Sequence, residues 1–214
     1  MLAYKGATVV IFGRNPDIHE IAAQIDSKAT GITVDITDSA QIACAVDQVL
    51  KINGRIDILC NCAGVGSGKP AVDISEDEFM NVLNVNLKSS FMVAQCVGRT
   101  MIESGKGGRI INIASDAGVV AIKNHIAYSA SKAGLISVTR SLALEWGKYG
   151  ITCNAVSPCV VMTPMSKAYW IGERAEQHLA QIPVGRFLEM DEVAAAIAYL
   201  ASDAAQMING QNLM

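Results

Sequence analysis

Short apolar runs rich in Val and Ile alternate with helical patterns along this chain. The runs cover residues 7–12, 31–34, 56–60, 109–113 and 151–156. Strands that are separated by helices usually lie parallel, because right-handed crossovers bring each helix back across the sheet. The alternation therefore predicts an α/β protein with a Rossmann-like, doubly wound parallel sheet, formed as a single domain by residues 1–214.

Local capping signals place the helices between these runs. Ser75, with Glu78 three residues later, has the form of a capping box, so a helix is predicted from there to about Ser104. The other helices are predicted over 17–25, from Thr37 or Asp38 to Gly54, over 127–149, and from Met190 or Asp191 to about Ser202.

Composition argues against several classes of protein. The net charge is −3 with no cluster of Lys or Arg, so neither a nucleic acid nor an anionic membrane is a predicted partner. No apolar run reaches the roughly 18 residues that span a bilayer. Met1–Gly6 lacks the layout of a secretory signal, which favours the cytoplasm. The six cysteines and three histidines show no metal-ligand spacing, so no metal site is predicted.

The residues that follow or close the predicted strands are candidates for a binding site. In an open parallel sheet, ligands lie beyond the carboxyl ends of the strands, where such residues meet. They are Arg14, Asp35, Asn61, Ser115 and Pro158.

Tyr128 and Lys132 point to proton-transfer chemistry. They are four residues apart in a helical segment, so their side chains lie on one face. A phenol with a pKa of about 10 is a poor base at neutral pH, and a neighbouring ammonium is expected to lower that pKa. The hydroxyl of Ser115 can orient a carbonyl or hydroxyl oxygen. Tyrosine and lysine at this spacing are also common on a solvated helix face, so the pair needs further support.

That support comes from six ordered motifs, which resemble those of the short-chain dehydrogenase/reductase family over essentially the whole chain. They are Asn61-Cys62-Ala63-Gly64, Val85-Asn86-Leu87, Ser115 thirteen residues before Tyr128, Asn154 to Pro158 followed by Thr163, Ile182 to Phe187, and Leu200 to Asp203. The resemblance implies an NAD(P)-dependent oxidoreductase that interconverts a secondary alcohol and a ketone.

The resemblance also implies four catalytic residues. Tyr128 would exchange the substrate proton, and Lys132 would lower the pKa of the tyrosine and hold the nicotinamide ribose. Ser115 would position the substrate oxygen, and Asn86 would hold a water in the proton relay. The alternatives are a turn role for Ser115 and, for Asn86, a buried polar residue bonded to strand backbone.

The cofactor-binding residues are likewise implied by the resemblance. Besides Tyr128 and Lys132, those near the nicotinamide half would be Asn61, Ala63, Gly64, Pro158, Val161 and Thr163. Asp35 matches the residue that contacts the adenine. Arg14 stands where members that prefer NAD often carry an acid, and a guanidinium there can pair with a 2′-phosphate. NADP is therefore favoured over NAD, although a solvated loop role for Arg14 is the alternative.

The segment after Pro158 indicates the substrate. Cys159 replaces the usual glycine of the family, and the stretch from Ser157 to Met165, with Trp170, resembles sugar-alcohol and ketose members such as D-arabitol and D-threitol dehydrogenases and L-xylulose reductases. A polyol or ketose is therefore the predicted small-molecule substrate. Cys159 would line the site or pack inertly, and His125 would face the pocket or belong to a loop. A 3-oxoacyl carrier-protein reductase, which shares the catalytic residues, is the alternative.

The ends of the chain differ from the family pattern. The first strand and its glycine-rich loop, one βα unit of roughly thirty residues, are absent before Met1, and the sequence stops inside the expected last strand. The absent strand would lie between those ending near Gly13 and Asn61, which predicts two unpaired backbone edges inside the sheet. We therefore expect a truncated chain that binds dinucleotide weakly, and micromolar binding of NADP or NAD in isothermal titration would contradict this.

Family members usually associate through the helices that correspond here to residues 75–104 and 127–149. A homodimer or homotetramer is therefore predicted. An interpretation from a different functional class is a catalytically silent chain that serves only as an oligomerisation module.

Overall fold

The computed structural model describes residues 1–163, 166–167 and 170–214, so Pro164 and Met165 of the substrate segment lie outside the described residues. Its strands are β1 (Val10–Gly13), β2 (Thr30–Thr33), β3 (Ile58–Asn61), β4 (Gly108–Ile113), β5 (Ile151–Val156) and β6 (Asn212–Leu213). Its helices are α1 (Ile18–Ile25), α2 (Ser39–Asn53), α3 (Glu76–Leu83), α4 (Ser90–Ser104), α5 (Ile126–Trp146), α6 (Gly172–Leu179) and α7 (Met190–Leu200).

The strands pair in parallel, which confirms the predicted α/β class. β1 pairs with β2, and a separate run follows the order β3-β4-β5-β6. Within the described residues, β1 and β3 share no hydrogen-bonded pairing. The sheet is therefore divided between β1 and β3, at the position where the sequence predicts unpaired edges.

Burial follows this division. Every residue of β5 is buried, whereas every residue of β1 and the apolar residues of β3 are only half-buried. Phe12 of β1 packs against the cluster that contains Ile110 and Ile151. Across the division, the two parts are held together by side-chain packing rather than by a backbone ladder.

Helices cover both faces of the larger part of the sheet. Ile110 of β4 packs with Met101 and Leu142 on one face, and its neighbour Ile111 packs with Leu200 on the other. Successive strand residues point to opposite faces, so this alternation is the doubly wound arrangement. Among the described helices, none combines the length and apolarity needed to cross a membrane.

The predicted capping signals are present. Asp38 accepts hydrogen bonds from the amides of Ala40 and Gln41 at the start of α2. Ser75 and Glu78 form the capping box of α3. The helix predicted from Ser75 to about Ser104 contains one departure, a π-helical turn over Asn84–Ser89 between α3 and α4. Such turns release backbone groups from regular helix bonding and are frequent at functional sites.

Candidate active site

The carboxyl end of β4 forms the centre of the candidate site. Ser115 follows this strand and caps a short 3₁₀ turn, Asp116–Gly118. The turn packs directly on α5, because a Cβ on Gly118 would lie 2.8 Å from the main-chain carbon of Lys132. Glycine at this position therefore allows Ser115 and its turn to approach the helix that carries Tyr128.

The phenol of Tyr128 is half-buried beside the hydroxyl of Ser115. Burial raises the pKa of this phenol, the hydrogen bond with Ser115 lowers it, and the nearby Asp116 carboxylate raises it again. Burial is the largest of these influences. The net direction is opposite to the lowering that the Tyr–Lys spacing predicts.

The position of Lys132 explains this difference. Its side chain is buried, and its Nζ donates to the carbonyl oxygen of Ile113 over 2.6 Å and lies 5.6 Å from the centroid of the Tyr128 ring. Burial lowers the pKa of the ammonium to about 8, with Cys62 acting in the opposite direction. The ammonium thus points to the end of β4, and burial disfavours its charged form.

Asn86 lies in the π-helical turn and is fully buried. Its Oδ1 accepts from the amide of Val65 at 2.8 Å, and its Nδ2 donates to the Val65 carbonyl and to the Ser131 hydroxyl, at 2.9 and 3.0 Å. Both amide hydrogens are engaged, so the side chain ties the loop after β3 to α5. Asn86 is thus buried and hydrogen-bonded, as the structural alternative expects, but its main-chain partner Val65 lies in the loop after β3 and not in a strand.

The end of β3 and the loop after it contain one buried residue, Asn61, followed by exposed residues. Asn61 is buried, and its Nδ2 donates to the Ser90 carbonyl and to Asn112 Oδ1 at 3.1 and 2.8 Å. Ala63 and Gly64 are exposed. A Cβ built on Gly64 would lie 3.5 Å from the Nζ of Lys132. Glycine therefore leaves space directly beside the lysine ammonium.

Arg14 and Asp35 lie just after β1 and β2, in the smaller part of the sheet. Asp35 Oδ1 accepts from the amide and the hydroxyl of Thr37 at 2.9 and 2.7 Å. These hydrogen bonds, and to a lesser extent the charge of Arg14, hold the pKa of Asp35 below its usual value. Arg14 is exposed, and its role at a cofactor stays a prediction.

The segment after β5 contacts the 3₁₀ turn Asp116–Gly118. The carbonyl of Pro158 accepts from the amide of Asp116 at 3.2 Å. Val161 forms an isolated parallel bridge with Leu188. Thr163 is engaged locally, since its amide donates to the Ser166 hydroxyl at 2.7 Å and its own hydroxyl accepts from the Ser166 amide at 3.2 Å.

His125 and Trp170, which the sequence singles out near the substrate, each contact another ring. The ring of His125 lies edge-on to Tyr128, with centroids 6.3 Å apart. Trp170 stacks on His178, with centroids 4.5 Å apart.

Sequence reasoning identified neither Asp116 nor the Ile113 carbonyl as part of this site. Both lie at the carboxyl end of β4, the same feature that identified Ser115 as a candidate, so this strand end was the signal available.

The whole chain, residues 1–214, matches the family described as Enoyl-(Acyl carrier protein) reductase. An NAD-dependent glycerol dehydrogenase of Listeria innocua is 43% identical over 100% of this chain and 84% of its own length. A D-threitol dehydrogenase of Mycolicibacterium smegmatis is 43% identical over 99% of this chain and 83% of its own length. A 3-oxoacyl-[acyl-carrier-protein] reductase of Thermotoga maritima is 37% identical, over 99% and 87% of the two chains.

Solved structures show the same fold. The crystal structure of gox2181 has a TM-score of 0.95 and 33% identity, over 99% of this chain and 86% of that one. An NAD⁺-bound xylitol dehydrogenase has a TM-score of 0.94 and 30% identity, over 99% and 89%. A gluconate 5-dehydrogenase from Burkholderia cenocepacia, in complex with NADP and tartrate, has a TM-score of 0.94 and 32% identity, over 99% and 85%.

The motifs, the parallel sheet and the convergence of Ser115, Tyr128 and Lys132 at the end of β4 agree with these comparisons. Both the sequence match and the structural likeness extend over almost all of the chain. The chain belongs to the short-chain dehydrogenase/reductase family.

Proposed function

We propose that this chain interconverts a secondary alcohol and a ketone on a polyol or ketose, with NADP or NAD as the hydride carrier. The observation that carries the proposal is that Ser115 and Tyr128 lie side by side at the end of β4, with the buried Lys132 Nζ 5.6 Å from the centroid of the tyrosine ring. The relatives named as glycerol and threitol dehydrogenases support the substrate class.

The residues beside Lys132 fit a nicotinamide ribose. An ammonium has three hydrogen-bond donors, and Ile113 O is its one acceptor among the described residues. The open space over Gly64 gives access to the other two donors. Lys132 and Tyr128 would therefore hold the ribose hydroxyls, Pro158, Val161 and Thr163 would lie at the nicotinamide, and the bound cofactor would supply or accept a hydride.

Proton transfer is assigned to Tyr128. Its raised pKa keeps the phenol protonated at neutral pH, so it is ready to donate its proton to the oxygen of a ketone during reduction. Alcohol oxidation needs the deprotonated phenol and is expected to improve as the pH rises. Ser115 holds the reacting oxygen. Asn86 supports the site by fixing the Val65 loop, so a relay water there would have to bind main-chain groups of the π-helical turn.

Turnover assays distinguish the candidate functions. The absorbance of reduced nicotinamide would be followed in wild type and Tyr128→Phe. D-arabitol and xylitol would be assayed with NADP⁺ or NAD⁺, and an acetoacetyl thioester with NADPH or NADH. Polyol turnover that Tyr128→Phe abolishes supports the proposal. Turnover of the thioester alone would instead identify a 3-oxoacyl carrier-protein reductase, the function named for the Thermotoga relative. A folded chain that is inactive on every substrate would favour the oligomerisation module.

Arg14 supports a preference for NADP, because its exposed guanidinium lies at the end of β1 beside Asp35. Paired with a 2′-phosphate, an arginine gives charge-assisted hydrogen bonds. Arg14→Ala is expected to weaken NADP binding in calorimetric titration and to leave NAD binding nearly unchanged. Equal effects on both cofactors would contradict the preference.

A homodimer or homotetramer is also proposed. Phe91 and Ile102 of α4 and Val138 of α5 line a groove between the two helices, and Leu144 of α5 is 87% exposed. Exposed apolar surface of this kind is typical of protein contacts. Light scattering coupled to size exclusion is expected to show association in the wild type and less of it in Leu144→Lys.

A further inference from the structure

Asp116 occupies a central position in the candidate site, although the sequence motifs do not single it out. Its Oδ1 accepts from the Ser115 hydroxyl at 3.0 Å and from the Ala117 amide at 2.8 Å. Its own amide donates to the carbonyl of Pro158 at 3.2 Å. Asp116 therefore connects the turn after β4 with the segment after β5.

Two titratable groups, the Tyr128 phenol and the Cys159 thiol, lie near the Asp116 carboxylate. Asp116 raises the pKa of Tyr128 on one side and of the Cys159 thiol on the other. Cys159 Sγ lies 3.8 Å from His178 Nε2. The Asp116 side chain is half-buried, so solvent and small molecules can reach it.

The hydrogen bond between Ser115 and Asp116 has a chemical consequence. A hydroxyl has one proton to donate, and in this arrangement Ser115 donates it to Asp116 rather than to a substrate oxygen. Ser115 can donate to a carbonyl oxygen only if its hydroxyl leaves the carboxylate. A buried or half-buried carboxylate that loses a donor needs a replacement, and a substrate hydroxyl close to the reacting carbon can provide one.

We propose that Asp116 is a specificity-determining residue that accepts a hydrogen bond from a second substrate hydroxyl, on the carbon next to the reacting one, and thereby releases the Ser115 hydroxyl to the reacting oxygen. This inference rests on the proposed function and narrows its substrate class to vicinal diols and α-hydroxyketones. An acyl thioester has no hydroxyl at that carbon. A site that hydrogen-bonds a substrate hydroxyl discriminates strongly against analogues that lack it.

The first test compares 2,3-butanediol with 2-butanol, which lacks the second hydroxyl. Asp116→Asn keeps an oxygen for the Ala117 amide but removes the charge. The diol-to-monoalcohol ratio of kcat/KM is expected to fall about tenfold, because the asparagine oxygen accepts a neutral hydrogen bond that is weaker than one to a carboxylate. Asp47→Asn, an exposed carboxylate on α2, is the matched control and should keep the wild-type ratio. An unchanged ratio in Asp116→Asn would overturn the proposal.

The second test needs no turnover. Alkylation of Cys159 by iodoacetamide would be followed on the peptide that contains it, with either alcohol present. The diol is expected to slow alkylation at least severalfold in wild type and Asp47→Asn, and 2-butanol to leave the rate unchanged. In Asp116→Asn the protection should disappear.

The two tests separate the inference from the proposed function. If the wild type turns over no polyol but shows diol protection that Asp116→Asn removes, the diol site is supported and the catalytic proposal fails. If polyols are turned over while Asp116→Asn keeps both the ratio and the protection, the catalytic proposal stands and the role of Asp116 is refuted.

Discussion

The Nζ of Lys132 donates a 2.6 Å hydrogen bond to the carbonyl oxygen of Ile113, the last residue of β4. This contact fastens α5 to the strand end from which Ser115 extends. It also places an ammonium where it is only 4% exposed, which lowers its pKa to about 8. The same lysine therefore organises the site and destabilises the folded protein at neutral pH.

The first prediction concerns stability against pH. Below pH 8, Lys132 is charged in both the folded and unfolded states, and the buried charge costs on the order of 3 kcal/mol, given its shift from 10.5 to about 8. Between these values the unfolded state binds more protons than the folded state, so the contribution of Lys132 to the free energy of unfolding rises with pH. Denaturant unfolding should show this rise in wild type relative to Lys132→Met. Parallel curves for the two proteins would contradict the shifted pKa.

The second prediction uses two variants that should move the ionisation of Tyr128 in opposite directions. The neighbouring Ser115 hydroxyl lowers the pKa of the phenol, so Ser115→Ala should raise it further. The Asp116 charge raises that pKa, so Asp116→Asn should lower it. Ultraviolet titration, with Tyr128→Phe subtracted, reads the phenolate directly. The rising limb of kcat/KM for alcohol oxidation should shift with it, and shifts of the same sign would refute this account.

The third prediction tests the close packing of the 3₁₀ turn Asp116–Gly118 on α5. Gly118→Ala would place a Cβ 2.8 Å from the Lys132 main chain, so the turn must move and carry Ser115 away from Tyr128. We expect kcat to fall at least tenfold, since misplacement by about 1 Å can cost a hundredfold. Gly66→Ala, where nothing lies within 4 Å of the new Cβ, is the control. Equal activity in both variants would show that the turn tolerates a side chain.

The fourth prediction concerns Asn86. Replacement by alanine removes three hydrogen bonds and leaves the Val65 amide and carbonyl without their side-chain partner. The free energy of unfolding should fall by about 2–4 kcal/mol. Asn53→Ala, which removes one bond at the end of α2, should cost less than about 1 kcal/mol. A similar small cost for Asn86→Ala would argue that the loop keeps its place without it.

Periodicity and capping identified most of the fold. The β5 strand was placed at Ile151–Val156 as observed, because a fully buried strand has a continuous apolar run. The start of β1 was placed three residues early, at Ala7 instead of Val10, since apolar content does not report where backbone pairing begins. The short helix α6 was not predicted, because its residues are mostly polar and exposed.

The site was less predictable than the fold. Tyr128, Lys132 and Ser115 converge as the strand order requires. The pKa of Tyr128 moves upward because burial and Asp116 act on it, and neither is visible in the spacing of a tyrosine and a lysine. Lys132 bonds to the main-chain carbonyl of Ile113. Any residue at position 113 would present that carbonyl, so the residue type carries no signal for this contact.

The division between β1 and β3 also bears on how this protein opens. β1, β2 and α1 form a tight group, since a Cβ on Gly31 would overlap the carbonyl of Ile18. Among the described residues, no backbone ladder joins this group to β3. Local opening follows cooperative units with their own free energies, so this group should detach as one unit well below global unfolding. Its amides would then exchange with deuterium together and ahead of those in β4 and β5. The part of the sheet that carries Arg14 and Asp35 would therefore be the first to unfold locally.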